Sequence, residues 1–482
     1  MNDSFDEDEM YYSLIDGNEE FGLSTEVDNP LPAVVRKYTD DALLASNFNR
    51  TPATMSFFVV VGQLCKDMIA IPSNLNTDDT RIQFLWLQTS GTGKSTLTNW
   101  FIPIIKEAFN LINEKHGKDL TLFDIIDYTD AALVGSTEKQ EIEVEEDGVE
   151  RTVRVDVQID GELEGEGLAL WDEFEYSGVF KQSQHKEQAI VYLNTFMNTL
   201  WGDTWIIKKK LASGAMIECR CRRSSYATSY IPKQLTSVIT EKGVLQRMLM
   251  FIWEVPQDVQ KGMRRRLIAD FGKIGEREEP KLQYSKSFLT IYDAVKERYE
   301  EVDEDPFRVL RFSPEANDVL TRECILMEEY IKTSRPEVFA AVETFINRIL
   351  KHIQKLSVLC CVAEAPSIKD KSKRFIVTGK NVEQASYIVR NCYKSLVSWL
   401  DEALRVERRQ VIENANYGIF KTIYLELSDS DEWVHKSLLL QRVREKTGKG
   451  PQTIYNWWNK VEEKFDTKKI SKSVYVKLKV SE

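Results

Sequence analysis

Histidine is scarce in this chain, with 4 in 482 residues, and the 7 cysteines are scattered at positions 65, 219, 221, 324, 360, 361 and 392. No Cys/His spacing fits a zinc site, and isolated thiols in odd number do not make a disulfide framework. Reduced cysteines in a cytoplasmic setting are expected. No apolar run approaches the roughly 20 residues of a membrane-spanning helix, so no membrane partner is expected. No repeat of about 20–50 residues is evident, which argues against a solenoid. Lys and Arg are missing from residues 1–30, which carry ten Asp and Glu. So acidic a segment, with so few apolar residues, is expected to be disordered, and MNDSFDEDEM does not read as a signal peptide.

What is present is ordinary for a globular chain of about two to four domains: 42% hydrophobic and 29% charged residues. The net charge of −12 hides an asymmetry, because residues 433–482 hold twelve Lys and Arg against five Asp and Glu, a balance of 12 − 5 = +7. A basic end raises nucleic-acid binding as a function.

The most informative stretch is QFLWLQTSGTGKSTLTNW, residues 83–100. From 88 to 95 it follows the phosphate-loop pattern G-x-x-x-x-G-K-[ST] at every defined position except the first, where Gln88 stands for glycine. Phe84–Leu87 reads as a buried parallel strand. After the loop, Leu97, Trp100, Phe101, Ile104, Ile105 and Phe109 recur at helical spacing. A helix that begins there points free N–H groups and a positive dipole end at a phosphate. The expected nucleotide-binding set is Gly91, Thr92, Gly93, Lys94, Ser95 and Thr96. Gly91 and Gly93 permit close backbone approach, Lys94 reaches the β/γ-phosphates, and Ser95 holds Mg²⁺. ATP and Mg²⁺ are therefore the expected cofactors.

About 80 residues on, GLALWDEFE places an acidic pair after an apolar strand. Asp172 would hold Mg²⁺ alongside Ser95, and Glu173 would polarise the attacking water. Between loop and pair, residues 140–158 alternate apolar and charged side chains around Asp147-Gly148. They read as a β-hairpin held by cross-strand charge pairs, with no chemistry of its own. Residues 188–201 read as a helix. Residues 205–222 read as two strands around Ser213-Gly214 with Lys208, Lys209 and Lys210 near the tip, followed by a separate strand from Arg223 to Ser229. GVLQRMLMF then places Arg247 just before another apolar strand.

This order of landmarks resembles the AAA-type, superfamily 3-like helicase domains of phages, viruses and integrated elements. The residues that carry the likeness are LWLQTSGTGKST, DYTDAALVGS, LALWDEFEYSGVF, the basic hairpin and GVLQRMLMFIWEVP, over roughly residues 50–400. The resemblance implies that Thr228 or Ser229 senses the γ-phosphate. It implies that Arg247 is an arginine finger for the ATP of a neighbouring subunit, which requires a ring, expected to be a hexamer. It also places Lys208, Lys209 and Lys210 on a hairpin in the central channel, where they would grip a single strand.

Residues 31–75 read as a helical segment before the 76–260 ATPase domain, and 261–410 as a helical bundle. Residues 411–482 have the texture of a winged helix-turn-helix: a helix from Lys436 to Gly448, a second from Gln452, then two alternating strands. Gln452, Thr453, Tyr455 and Asn456 would face a DNA groove, and Lys468, Lys469 and Lys472 would contact phosphates from the wing. The expected fold class is thus α/β: a P-loop AAA-type domain with helical regions on either side and a C-terminal winged helix. The expected function is an ATP-dependent DNA helicase ring in phage, viral or mobile-element replication, working beside a separate primase. A terminase-like packaging motor and an ATP-switch initiator or loader remain the alternatives.

Overall fold

A computed structural model describes residues 30–46, 50–72, 77–125, 129–146, 149–174, 187–201, 206–210, 216–232, 243–257, 259–262, 265, 279–299, 309–368, 374–428, 432–471 and 473–479. The acidic terminus, the turns expected at 147–148 and 213–214, and Lys472 of the wing lie outside them. The chain divides into two compact units, one ending at Trp399 and the next beginning at Leu400. The first is mixed α/β with a mostly parallel sheet at its centre.

The strands of the first unit include β1 (Gln83–Gln88), β2 (Leu120–Asp124), β3 (Gly135–Glu146), β4 (Val149–Asp160), β5 (Gly165–Trp171), β6 (Ile206–Lys210), β7 (Met216–Ser229) and β8 (Leu249–Trp253). Five of them pair in parallel in the order β8-β1-β7-β5-β2. Every residue of β1 is buried, because the strand has neighbours on both sides and cover on both faces. The insertion of β7 between β1 and β5 brings the ends of three strands far apart in sequence to one edge.

β7 corrects the expectation of two strands. Met216 to Ser229 is one strand of 14 residues with two textures. Its first part alternates exposed and buried side chains and pairs antiparallel with β6, from Ile206↔Arg220 to Lys210↔Met216. Its second part is buried throughout and lies between β1 and β5. The change of period marks the point where the strand leaves a two-stranded ribbon and enters the sheet. β3 and β4 form the expected hairpin as an ungapped antiparallel ribbon, and Arg154 and Glu141 pair across it at 2.8 Å.

The helices of this unit include α1 (Ala33–Ser46), α2 (Arg50–Cys65), α3 (Lys94–His116), α4 (Glu187–Phe196), α5 (Glu279–Tyr299), α6 (Pro314–Lys332) and α7 (Pro336–Ala363). α2 is apolar all round and buried from Thr51 to Cys65, so it exists only as a helix enclosed by others. Gln63 Nε2 donates to the Arg222 carbonyl, Gln63 Oε1 accepts from Ser224 N–H, and the Tyr226 hydroxyl donates to the Pro52 carbonyl. These bonds stitch α2 to β7, which makes residues 31–65 part of the sheet unit. Tyr38, Phe57, Trp100, Tyr284 and Phe288 meet at centroid distances of 4.9–6.2 Å and tie α1, α2, α3 and α5 together. Each such pair contributes about 0.5–1.5 kcal/mol beyond area burial.

Helix α8 (Gly379–Leu427) contains both the junction of the units and the boundary expected at 410/411. The second unit continues with β9 (Val434–His435), α9 (Lys436–Thr447), α10 (Pro451–Val461), β10 (Phe465–Ile470) and β11 (Ser473–Leu478). Its sheet runs β9-β11-β10, all antiparallel. Trp458 is fully buried among Phe420, Tyr424, Leu439, Val443 and Phe465. Among the described residues, no helix is long and apolar enough to cross a membrane.

Candidate nucleotide site and basic surfaces

The glycine loop lies between β1 and α3. Gly91 and Gly93 have φ of 72° and 84°, the left-handed region that costs an L side chain roughly 1–2 kcal/mol. They turn the chain so that α3 begins at Lys94 with no side-chain cap on its first N–H groups. Those uncapped donors and the helix dipole make an oxyanion cradle. Lys94 Nζ donates to the Gln88 carbonyl at 3.1 Å, and Ser95 is exposed at the first turn.

Gln88, the residue that breaks the pattern, is fully buried. Its Nε2 donates to Thr92 Oγ1 at 2.8 Å and to the Thr92 carbonyl at 3.3 Å, and Thr92 Oγ1 donates to the Thr89 carbonyl at 2.5 Å. Thr89 Oγ1 in turn accepts from Val255 N–H, just beyond β8. The glutamine therefore laces the loop from beneath and leaves its upper face open. A glycine at 88 would supply no such brace.

The parallel register brings the partners to the same edge. Leu87 lies opposite Ser229 and Trp171 opposite Ala227, so Asp172 lies beside Thr228. Thr228 Oγ1 donates to Asp172 Oδ1 at 2.8 Å. Thr228 and Ser229 are both buried, whereas Asp172 and Glu173 are exposed. Ser229 donates to the Tyr230 carbonyl. Glu173 has φ of 57°, a left-handed backbone that glutamate rarely adopts. Such strain at a strand end is characteristic of functional positions. The donor set fits a nucleotide with a hard cation: hydroxyl and carboxylate oxygens from Ser95 and Asp172 suit Mg²⁺, and Lys94 with the α3 N–H groups suits phosphate.

Arg247 is not part of this cluster. It precedes β8, whose first residue Leu249 pairs with Phe84 at the start of β1, so it lies at the opposite edge of the sheet. It donates to Asn198 Oδ1, Asn194 Oδ1 and the Gly243 carbonyl. Burial, and then the neighbouring Arg348, hold its pKa below the usual arginine value. On the β6–β7 ribbon, Lys208 and Lys210 are exposed and Lys209 is half-buried, and Lys208 pairs with Glu218 at 3.0 Å. In the second unit, Gln452, Thr453, Tyr455 and Asn456 lie on the exposed face of α10, opposite buried Ile454 and Trp458. Gln452 Nε2 donates to Asn456 Oδ1. Lys468 and Lys469 are exposed on β10.

Sequence reasoning missed the Gln88 brace and a basic stripe on α7. Arg348, Lys351, His352 and Lys355 follow i, i+3, i+4, i+7 spacing and line a cleft together with Arg247. That spacing is visible in NRILKHIQK, but apolar residues around it read as core. No protein-family model and no curated protein matches this chain.

Proposed function

We propose that this protein is an ATP-driven DNA translocase of AAA type, a helicase working as a ring in replication. The observation that carries the reading is the convergence of the Gly91–Ser95 loop, Asp172 and Thr228 at one edge of a parallel sheet, while Arg247 lies at the other. Ligands of open parallel sheets bind beyond the carboxyl ends of the strands, where that cluster stands.

In this reading Lys94 and the first N–H groups of α3 bind the phosphates. Ser95 and Asp172 would hold Mg²⁺, which would supply positive charge to offset that of the phosphates. Thr228 fixes the orientation of Asp172 through its hydrogen bond. Glu173, turned outward by its left-handed backbone, accepts the proton of the attacking water. Arg247 stands too far from its own loop to stabilise the transferred phosphate, since the length of β1 separates them. It would serve a neighbouring copy, and a closed ring supplies that neighbour at every site.

The second unit, with two helices, a tight turn and a β-ribbon, suits a winged helix. Its open α10 face and the β10 lysines suit DNA. The test is ATP hydrolysis with and without single-stranded DNA, with Lys94→Ala as the blank and the size of the assembly recorded. Stimulation by single strands, lost in the blank, is expected. Robust hydrolysis indifferent to nucleic acid would overturn the helicase reading and favour a packaging motor or a nucleotide switch.

A further inference from the structure

At the sheet edge opposite the glycine loop is a cleft with a cavity volume of about 30 Å³, lined by Arg81, Gln83, Asn198, Arg247, Arg348 and Lys351 among others. Its cations differ in what occupies them. Arg81 is fully committed, to Asp79 at 2.8 Å and to the carbonyls of Cys221 and Asn198. Lys351 pairs with Asp78 at 2.7 Å. Lys355 donates to the Arg81 carbonyl at 2.9 Å and to Thr199 Oγ1.

The two remaining arginines have no carboxylate. Arg247 donates through Nε and Nη1 to neutral acceptors alone. Arg348 has no hydrogen bond or ion pair among the described residues. Both line the cleft, and burial first, then Arg348, lowers the pKa of Arg247. Two neighbouring guanidiniums repel each other unless an anion comes between them. Their planar forks match the oxygens of a phosphate.

We propose that Arg348 is a second oxyanion donor in this cleft, acting beside Arg247 on the terminal phosphate of a nucleotide held in the loop of a second copy of this chain. The inference rests on the ATPase reading. A single water needs roughly 10–15 Å³ of such space, so two or three oxygens enter and a nucleoside does not. The rest of the nucleotide must be held elsewhere. The chain's own loop cannot hold it, because it follows Gln88, whose sheet partner Trp253 ends the strand that Leu249 begins. At about 3.3 Å per residue, that strand keeps the two sites on the order of 15 Å apart. Because Arg348 is on α7, outside the sheet, occupancy of one copy's loop would also act on the helical layer of the next.

The experiment compares ATP hydrolysis by wild type, Arg348→Ala, Lys94→Ala and a 1:1 mixture of the two variants, assembled together. Arg348→Ala is expected to lose at least about tenfold in kcat with KM little changed, because the group acts on charge that develops in the transition state. Its Tm should equal or exceed that of wild type, since the side chain has no partner to lose. Arg348→Lys should recover part of the rate.

The mixture is decisive. In a random ring about one interface in four sets an intact loop against an intact arginine, so activity should rise well above both variants alone. A mixture no better than its components, or a wild-type rate in Arg348→Ala, overturns the proposal and leaves the ATPase reading standing. The proposal is equally overturned if added inorganic phosphate raises the Tm of wild type but not of Arg348→Ala while hydrolysis is unchanged: the cleft then takes free anion. A wild type that hydrolyses no ATP overturns both.

Discussion

At the scale of single residues, two side chains carry predictions that a stability scan and an activity assay would separate. Glu173 has a left-handed backbone at φ 57°. Glu173→Gly relieves a cost of roughly 1–2 kcal/mol, less about 0.4–1 kcal/mol for the more flexible unfolded chain. Its Tm should therefore stay level or rise while hydrolysis is lost. Glu173→Gln should lose hydrolysis at unchanged Tm and still bind nucleotide. A drop in Tm for the glycine variant would mean that the carboxylate is structural. Gln88 can be tested in the same way. Gln88→Met keeps its volume and removes both bonds to Thr92, while Gln88 Oε1 has no partner to lose among the described residues. Stability should change by less than about 1 kcal/mol, and KM for ATP should rise several-fold as the loop loses its brace. The grouping of Lys94, Ser95 and Asp172 was legible in the sequence because a phosphate-loop pattern and an acidic residue after an apolar strand are both spacing signals. The brace was not, because a motif scores Gln88 as a missing glycine, and the bonds it makes exist only once Thr92 has folded over it.

At the scale of elements, α7 links protonation to stability. His352 is held down to about 3 by burial first, then by Lys355, Lys351 and Arg348, against an ordinary value of 6.5. Its folded pKa is below its unfolded one, so the folded state binds fewer protons between those values. The stability it contributes is present above pH 6.5 and is lost as pH falls toward 3. Lys355, lowered from 10.5 to about 7 by burial despite Asp78 and Asp79, acts in the same direction in a higher window. His352→Gln should flatten the acid side by on the order of 2–3 kcal/mol, read from urea midpoints at about pH 4 and 7. An unchanged slope would mean that His352 is protonated freely in the fold. Elements with strong local signals were legible, among them β1, α9 up to Gly448 and α10 after Pro451. β7 was not, since two periods in one strand look like two strands. The enclosure of α2 was not either, since a mostly apolar helix does not say what encloses it.

At the scale of the whole molecule, the chemistry assigned to the first unit and the DNA contact assigned to the second should separate experimentally. Trp458 is fully buried, and Trp458→Ala should cost the second unit about 3–5 kcal/mol while the proposed nucleotide site, built from other residues, stays intact. A finer separation comes from Lys468 and Lys469, which are exposed on β10 and whose loss removes no core. If both contact phosphates, each neutralised phosphate contributes about 0.7–0.9 to the slope of log K against log salt. Lys468→Ala/Lys469→Ala should then weaken DNA binding at low salt and flatten that slope by about 1.4–1.8, measured by titration at several salt concentrations. Basal hydrolysis without DNA should stay at the wild-type rate, because no group in the loop, the acidic pair or the arginine cleft has changed. An unchanged slope would make these lysines a solvated strand edge, and the exposed face of α10 would then have to be tested as a protein contact. Loss of basal hydrolysis would mean that the two units share more than helix α8.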